Sequence, residues 1–267
     1  CMIKRLFLFN LRENKTLILA FTMIVLLYGT ISVSMYDPQS AEALENMLKL
    51  LPEAMIKMMG FDDMSSEITR YISSYLYGFI LLMFPLIFSI IVSIRLVANH
   101  VDKGSMIYLV TMPYTRRKII TTQALFLVFS LFIIFFIHTV VLVVMSSLMF
   151  PGDLLIGKFL LINVVTLSVH LLLASISFFF SVLFGDTSKA MGLSGGVLFS
   201  FFSINMLSAI NDQLAFLKYF TPFSLVDTNR IIDHSAFGVI AFVTITICTV
   251  LIFMFSIELF NKKNLII

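Results

Sequence analysis

The chain has 267 residues, 60% of them apolar and 12% charged, and a mean hydropathy of +1.04. A soluble domain is nearer half apolar and a quarter charged, so there is too little charge to solvate the surface, and lipid must replace water over most of it. The net charge of +3 includes no long basic stripe, which argues against a nucleic-acid partner, and Cys1 and Cys248 imply no disulfide framework.

The N-terminal stretch 2–16 mixes Leu6, Phe7, Leu8, Phe9 and Leu11 with Lys4, Arg5, Arg12 and Lys15. This pattern predicts an interfacial helix leading into the first span. About 20 apolar residues cross a hydrocarbon core of about 30 Å as a helix, and six runs meet that length: Leu17–Met35, Tyr71–Ile94, Ala124–Met149, Leu155–Leu183, Ala190–Ile210 and Phe237–Leu259. They are continuous rather than alternating, which selects helices over a barrel. Between the first two spans, segment 37–70 is rich in Asp and Glu. Within it, Leu44, Met47, Leu48, Leu51, Met55, Met58 and Met59 recur at near-helical spacing, which predicts an amphipathic outer segment broken near Pro52. Pro85 should kink the second span. The chain has 29 Phe and no Trp, so an aromatic belt must use tyrosine, with Tyr28, Tyr36, Tyr71, Tyr75, Tyr77 and Tyr219 as candidates.

Lysine and arginine fix the expected orientation. The N-terminal stretch, the connection after the second span (Lys103, Arg116, Arg117, Lys118) and the C-terminal Lys262 and Lys263 fall on one side when every second connection is skipped. That side should be the cytoplasm, with both termini in it.

Chemistry-bearing patterns are scarce. No Gly-x-x-x-x-Gly-Lys-Ser/Thr phosphate cradle occurs. Leu193-Ser194-Gly195-Gly196 copies the start of an ATPase signature but lies inside an apolar span, where it reads as small residues that let another helix approach. His100, His138, His170 and His234 are scattered, with no metal-ligand spacing; His138 and His170 are expected to bond neutrally to neighbouring helices. Glu258 pairs naturally with Lys262 one turn away. With no chain of intramembrane acids and bases, an ion-driven carrier is disfavoured. The sequence therefore predicts a non-enzymatic protein without a cofactor of its own.

The interval Gly104-Ser105-Met106-Ile107-Tyr108-Leu109-Val110-Thr111-Met112-Pro113-Tyr114-Thr115-Arg116 resembles the segment between the second and third spans of type-2 ABC exporter permeases. There an acidic stretch leads to Gly-Thr/Ser, paired aliphatics and Pro-x-Ser/Thr-Arg. Asp102 stands for the acidic part, and Pro113-Tyr114-Thr115-Arg116 matches the last element fully. Leu50-Leu51-Pro52-Glu53, Phe220-Thr221-Pro222-Phe223 and Phe260-Asn261-Lys262-Lys263 resemble further family elements in order, while Gln123 replaces a frequent Lys.

The resemblance implies one all-α permease domain over 1–267, with six spans and a cytoplasmic coupling segment 99–118. It implies a dimer with a second permease copy or paralogue, and a separate cytoplasmic ABC ATPase that carries ATP and magnesium. A coupling helix over Lys103–Thr111 would dock Met106, Ile107 and Leu109 into the ATPase, with Asp102, Lys103, Gly104, Pro113 and Arg116 shaping and holding the segment. A path at the dimer axis would use parts of the first, second and fifth spans, with Phe201, Phe202 and Asn205 as candidates. It would move an amphipathic or hydrophobic cargo (peptide, lipid or drug-like). The alternative is a non-transporting immunity or regulatory membrane protein that binds a peptide and needs no ATPase.

Overall fold

The structure is a computed structural model that describes residues 2–36, 52, 55, 67–210 and 212–263. Among these, every regular element is helical. In chain order they are α1 (Lys4–Met35), α2 (Ile68–Tyr77), α3 (Ile80–Leu96), α4 (Ala98–Asp102), α5 (Met106–Val110), α6 (Arg116–Met149), α7 (Ile156–Phe184) and α8 (Thr187–Ile210). Two 3-10 helices (Asp212–Phe220, Pro222–Leu225), α9 (Thr228–Asp233) and α10 (Ser235–Lys262) complete it. Six helical stretches are long and apolar enough to cross a membrane: α1, Ile80–Asp102, α6, α7, α8 and α10. The amphipathic segment expected over 37–70 lies, apart from Pro52, Met55 and residues 67–70, outside the described residues, and its last three residues open α2.

The N-terminal stretch and first span are one uninterrupted helix of 32 residues, about 48 Å long and so longer than a hydrocarbon core. Its buried side chains, Leu6, Asn10, Asn14, Ile18, Thr22, Val25, Gly29, Ser32 and Val33, form a single stripe against α6 and α3. At Gly29 an added Cβ would come within 3.0 Å of Leu142, so glycine sets the approach of α1 to α6.

At the centre, α7 packs against α10, α3, α8 and α6. The most apolar windows of α3 and α7 are 72% and 61% buried, against 39% or less in the other four spans. Those four therefore leave most of their surface to lipid or to partners. No atom of the described residues lies within 4 Å of a Cβ built on Gly192, Gly195 or Gly196, so the small-residue face of α8 is open.

The second span departs from expectation. It is not continuous over Tyr71–Ile94 but breaks at Gly78–Phe79, where Phe79 has φ −135° and ψ −57°. Phe79 there packs edge-on against Phe202 of α8, with ring centroids 5.7 Å apart. Helix α3 then runs through Pro85. Proline has no N–H, so the carbonyl four residues back loses its partner; this is Leu81, and His170 of α7 donates to it from Nε2 at 2.7 Å. A second break falls at Val97, with φ −129° and ψ −68°. Ser181 of α7 bridges it, its hydroxyl accepting from the Ala98 N–H at 2.9 Å and donating to the Ser93 carbonyl at 3.0 Å. His170 is thus the cross-helix donor that the sequence suggests. His138 is fully buried but has no aligned partner at either ring nitrogen.

The candidate belt tyrosines divide between the core and the surface. Tyr36, Tyr71 and Tyr77 are buried, and Tyr36 meets Tyr71 and Phe150 at 5.3 and 5.0 Å between centroids. Their rings fill the bundle end between α1, α2 and the start of α7, leaving Tyr28 and Tyr219 exposed. At the same end Arg70 of α2 clamps α9, donating to Asp233 at 2.5 Å and Asn229 at 3.2 Å. Asp233 raises the Arg70 guanidinium above its ordinary pKa.

His170→Leu strands the Leu81 carbonyl in an apolar core, at a cost of about 1–2 kcal/mol. In a Pro85→Ala background the restored N–H can close onto that carbonyl, and the same substitution should cost clearly less. Detergent-unfolding midpoints of both single variants and the double variant give the coupling. Equal costs in the two backgrounds would mean that the His170 bond does not compensate Pro85.

Candidate coupling site

The connection between the second and third spans is compact. After α4 the chain turns at Lys103-Gly104-Ser105, with Gly104 at φ +69°, a left-handed conformation that suits glycine. The turn is closed by Gly104 N–H to the Val101 carbonyl at 3.0 Å and by a His100 Nδ1–Ser105 Oγ bond at 2.9 Å. It also corrects the expected helix. Helicity resumes only at Met106, so α5 covers Met106–Val110 rather than Lys103–Thr111. Thr115 then caps α6 by accepting from the Lys118 N–H.

The expected docking side chains divide by face. Met106 and Leu109 point inward, 3% and 8% exposed, among Ile3, Leu6, Ile119, Phe178 and Phe260. Ile107 faces out, beside Tyr108, Met112 and Tyr114, and Tyr108 is 75% exposed. Asp102, Lys103 and Pro113 are also exposed. On a one-turn helix, residues three apart share a face, so Met106 and Leu109 anchor the helix while Ile107 and Tyr108 present it.

The basic residues do more than meet headgroups. Arg116 donates from Nη1 to the Lys263 carbonyl at 3.1 Å. Lys263 in turn donates from Nζ to the Val182 and Leu183 carbonyls at 2.9 and 2.8 Å. These are carbonyls of the last turn of α7, where a cation is favoured; α7 ends at the left-handed Gly185. Burial holds the Lys263 ammonium below the ordinary lysine pKa. Arg117 forms an ion pair with Glu258 of α10, which also meets Lys262 at 3.4 Å. The local Glu258–Lys262 pair was legible from its spacing; the Arg117 and Lys263 bonds cross 80 residues or more and left no local pattern.

The candidate path residues separate. Phe202 is buried, edge-on to Phe79 and Phe223. Phe201 packs, partly buried, against the core. Asn205 lines a cavity of about 310 Å³ at the end of the bundle away from the coupling turn, together with Ser73, Tyr77 and Lys218. A second cavity, of about 520 Å³, adjoins the turn and is walled by α1, α3, α4 and α8. Among the described residues no three His, Cys, Asp or Glu side chains group as metal ligands.

Six apolar helices, α7 central among them, with the short helix α5 between the second and third, define a multi-pass membrane protein. The model of a family described as ABC-2 family transporter protein matches residues 7–265. The chain belongs to that family and is a membrane permease subunit of an ABC transporter, a machine that works with an ATPase. A search of curated proteins gave no match.

Nothing lies within 4 Å of a Cβ built on Gly104, so the cost of a side chain there comes from the backbone alone. Gly104→Ala should cost about 1–2 kcal/mol of local stability, and Gly104→Asn less, because Asn tolerates the left-handed region. Hydrogen exchange at the Ile107 and Thr111 amides reads this directly. Unchanged protection in both variants would argue against a strained left-handed turn.

Proposed function

We propose that this permease is an exporter of an amphipathic or hydrophobic cargo, driven by an ATPase that docks from the cytoplasm on the Gly104–Pro113 segment. The observation that carries the reading is the two-faced α5, in which buried Met106 and Leu109 fix a helix whose exposed side offers Ile107 and Tyr108. The ATPase binds ATP and magnesium. Closure of its dimer pushes the segment, and the push enters the spans through α4 and α6. Both termini and the coupling turn face the cytoplasm, consistent with Lys4, Arg5, Lys103, Arg116, Arg117, Lys262 and Lys263 on one side.

The functional unit contains a second permease copy or paralogue. The open face of α8 around Gly192 and Gly196 suits close helix approach. The path runs between copies along the first, second and fifth spans. Asn205 opens onto the far cavity, and Phe202 supports its wall through Phe223.

Replacing Ile107 and Tyr108 together by Glu should weaken capture of the co-expressed ATPase about 30-fold or more, since aromatic and aliphatic anchors each contribute about 1–2 kcal/mol at an interface. Monodispersity and melting of the permease should stay unchanged, because both side chains are exposed. Met106→Asp should instead lower the melting temperature, since it buries a carboxylate. Undiminished ATPase capture by the double variant would remove α5 as the docking element, and labelling of a cysteine at position 108 only from outside would reverse the orientation.

A further inference from the structure

The cavity beside the coupling turn has a lining that, apart from Lys103 and its neighbours in the turn, the transport reading does not use. Its charged side chains are Arg95 of α3, Lys103 of the turn and Glu13 of α1. Among the described residues neither Arg95 nor Lys103 pairs with a carboxylate. His100 also lines the cavity, but its Nδ1 is engaged with Ser105. Two cations against one carboxylate leave a positive excess in a recess between helices.

Two lining residues also carry buried polar atoms without a partner among the described residues. Asn14 is only 4% exposed, and its Nδ2 donates to the Asn10 carbonyl at 3.0 Å. Its Oδ1, buried and without a partner, remains able to accept. The buried Thr187 Oγ at the start of α8 is likewise unpartnered. A buried acceptor left unpaired is costly, so the lining calls for a ligand that brings hydrogen-bond donors as well as negative charge. A bare alkyl chain brings neither, and an ammonium headgroup adds a cation to a wall already positive.

We propose that this cavity binds a glycerol phosphate group, its phosphate on Arg95 and Lys103 and its hydroxyls on Asn14 Oδ1, Thr187 and Glu13. Basic recesses between membrane helices take anionic headgroups by this chemistry. The group can come from an inner-leaflet phosphatidylglycerol or from a soluble glycerol phosphate. Bound, it joins α1, α3 and α8 to the turn that carries Gly104, so occupancy stiffens the coupling turn. The choice of leaflet rests on the orientation proposed above; the chemistry of the site does not.

The test is native mass spectrometry of the purified full-length chain in detergent, titrated with phosphatidylglycerol, phosphatidylethanolamine or sn-glycerol 1-phosphate. Phosphatidylglycerol should be retained in preference to phosphatidylethanolamine, and Arg95→Gln with Lys103→Gln should cut its retention about 30-fold. Phosphatidic acid, which lacks the glycerol hydroxyls, is titrated beside them and should be retained less than phosphatidylglycerol by the wild-type chain; Asn14→Leu, which keeps every charge, should erase that preference. Equal binding of soluble glycerol 1-phosphate supports the site and makes the ligand a free ester. Equal retention of both lipids by the wild-type chain, or unchanged retention of phosphatidylglycerol by the Arg95/Lys103 variant, overturns the proposal. The readout needs no ATPase, so its failure is separable from failure of the docking reading.

Discussion

The structure depends on one constraint: a backbone in lipid cannot leave its polar groups to water. The second span breaks this rule twice, through the missing N–H of Pro85 and the irregular Val97. Both lapses are made good by α7, by the His170 imidazole on the Leu81 carbonyl and the Ser181 hydroxyl on Ala98 and Ser93. A carbonyl can only accept, so Nε2 of His170 carries the proton. These bonds explain two polar side chains in the apolar hub helix without any catalytic or metal role.

The same bonds determine what the coupling turn can move. Helix α4 continues from α3 through the Ser181 stitch, and α6 begins where Arg116 meets the Lys263 carbonyl. Lys263 is itself bonded to the last turn of α7. In the docking proposed above, a push on α5 would reach α7 by two routes, one from each flank. At the other end Arg70 ties α2 to α9, and the Thr69 hydroxyl accepts from the Leu155 N–H just before α7. Helix α7 is thus held at both ends and stitched along its length.

The parts legible in the sequence are those set by composition along a continuous stretch. Apolar run length located the spans because the hydrocarbon thickness demands it. The resemblance singled out the segment between the second and third spans through Pro113-Tyr114-Thr115-Arg116 and Gly104. Its true helix was shorter, because the left-handed Gly104 that marks the turn also excludes Lys103 and Ser105 from the helix. The break at Gly78–Phe79 was hidden inside an apolar run, where hydropathy does not distinguish a continuous helix from an interrupted one. The burial of Tyr36, Tyr71 and Tyr77 was hidden for a related reason: tyrosine suits a membrane interface and a protein core equally well, and only packing decides.

Which face of α5 serves the partner could not be read from the sequence. Met106, Ile107 and Leu109 have nearly equal hydrophobicity, and a five-residue helix is too short for periodicity to show a stripe. The assignment comes from burial: Met106 and Leu109 belong to the buried cluster that also holds Ile3, Leu6, Ile119 and Phe260. They lie three residues apart, so one face of this single turn is held in the core and the other, with Ile107 and Tyr108, is left exposed.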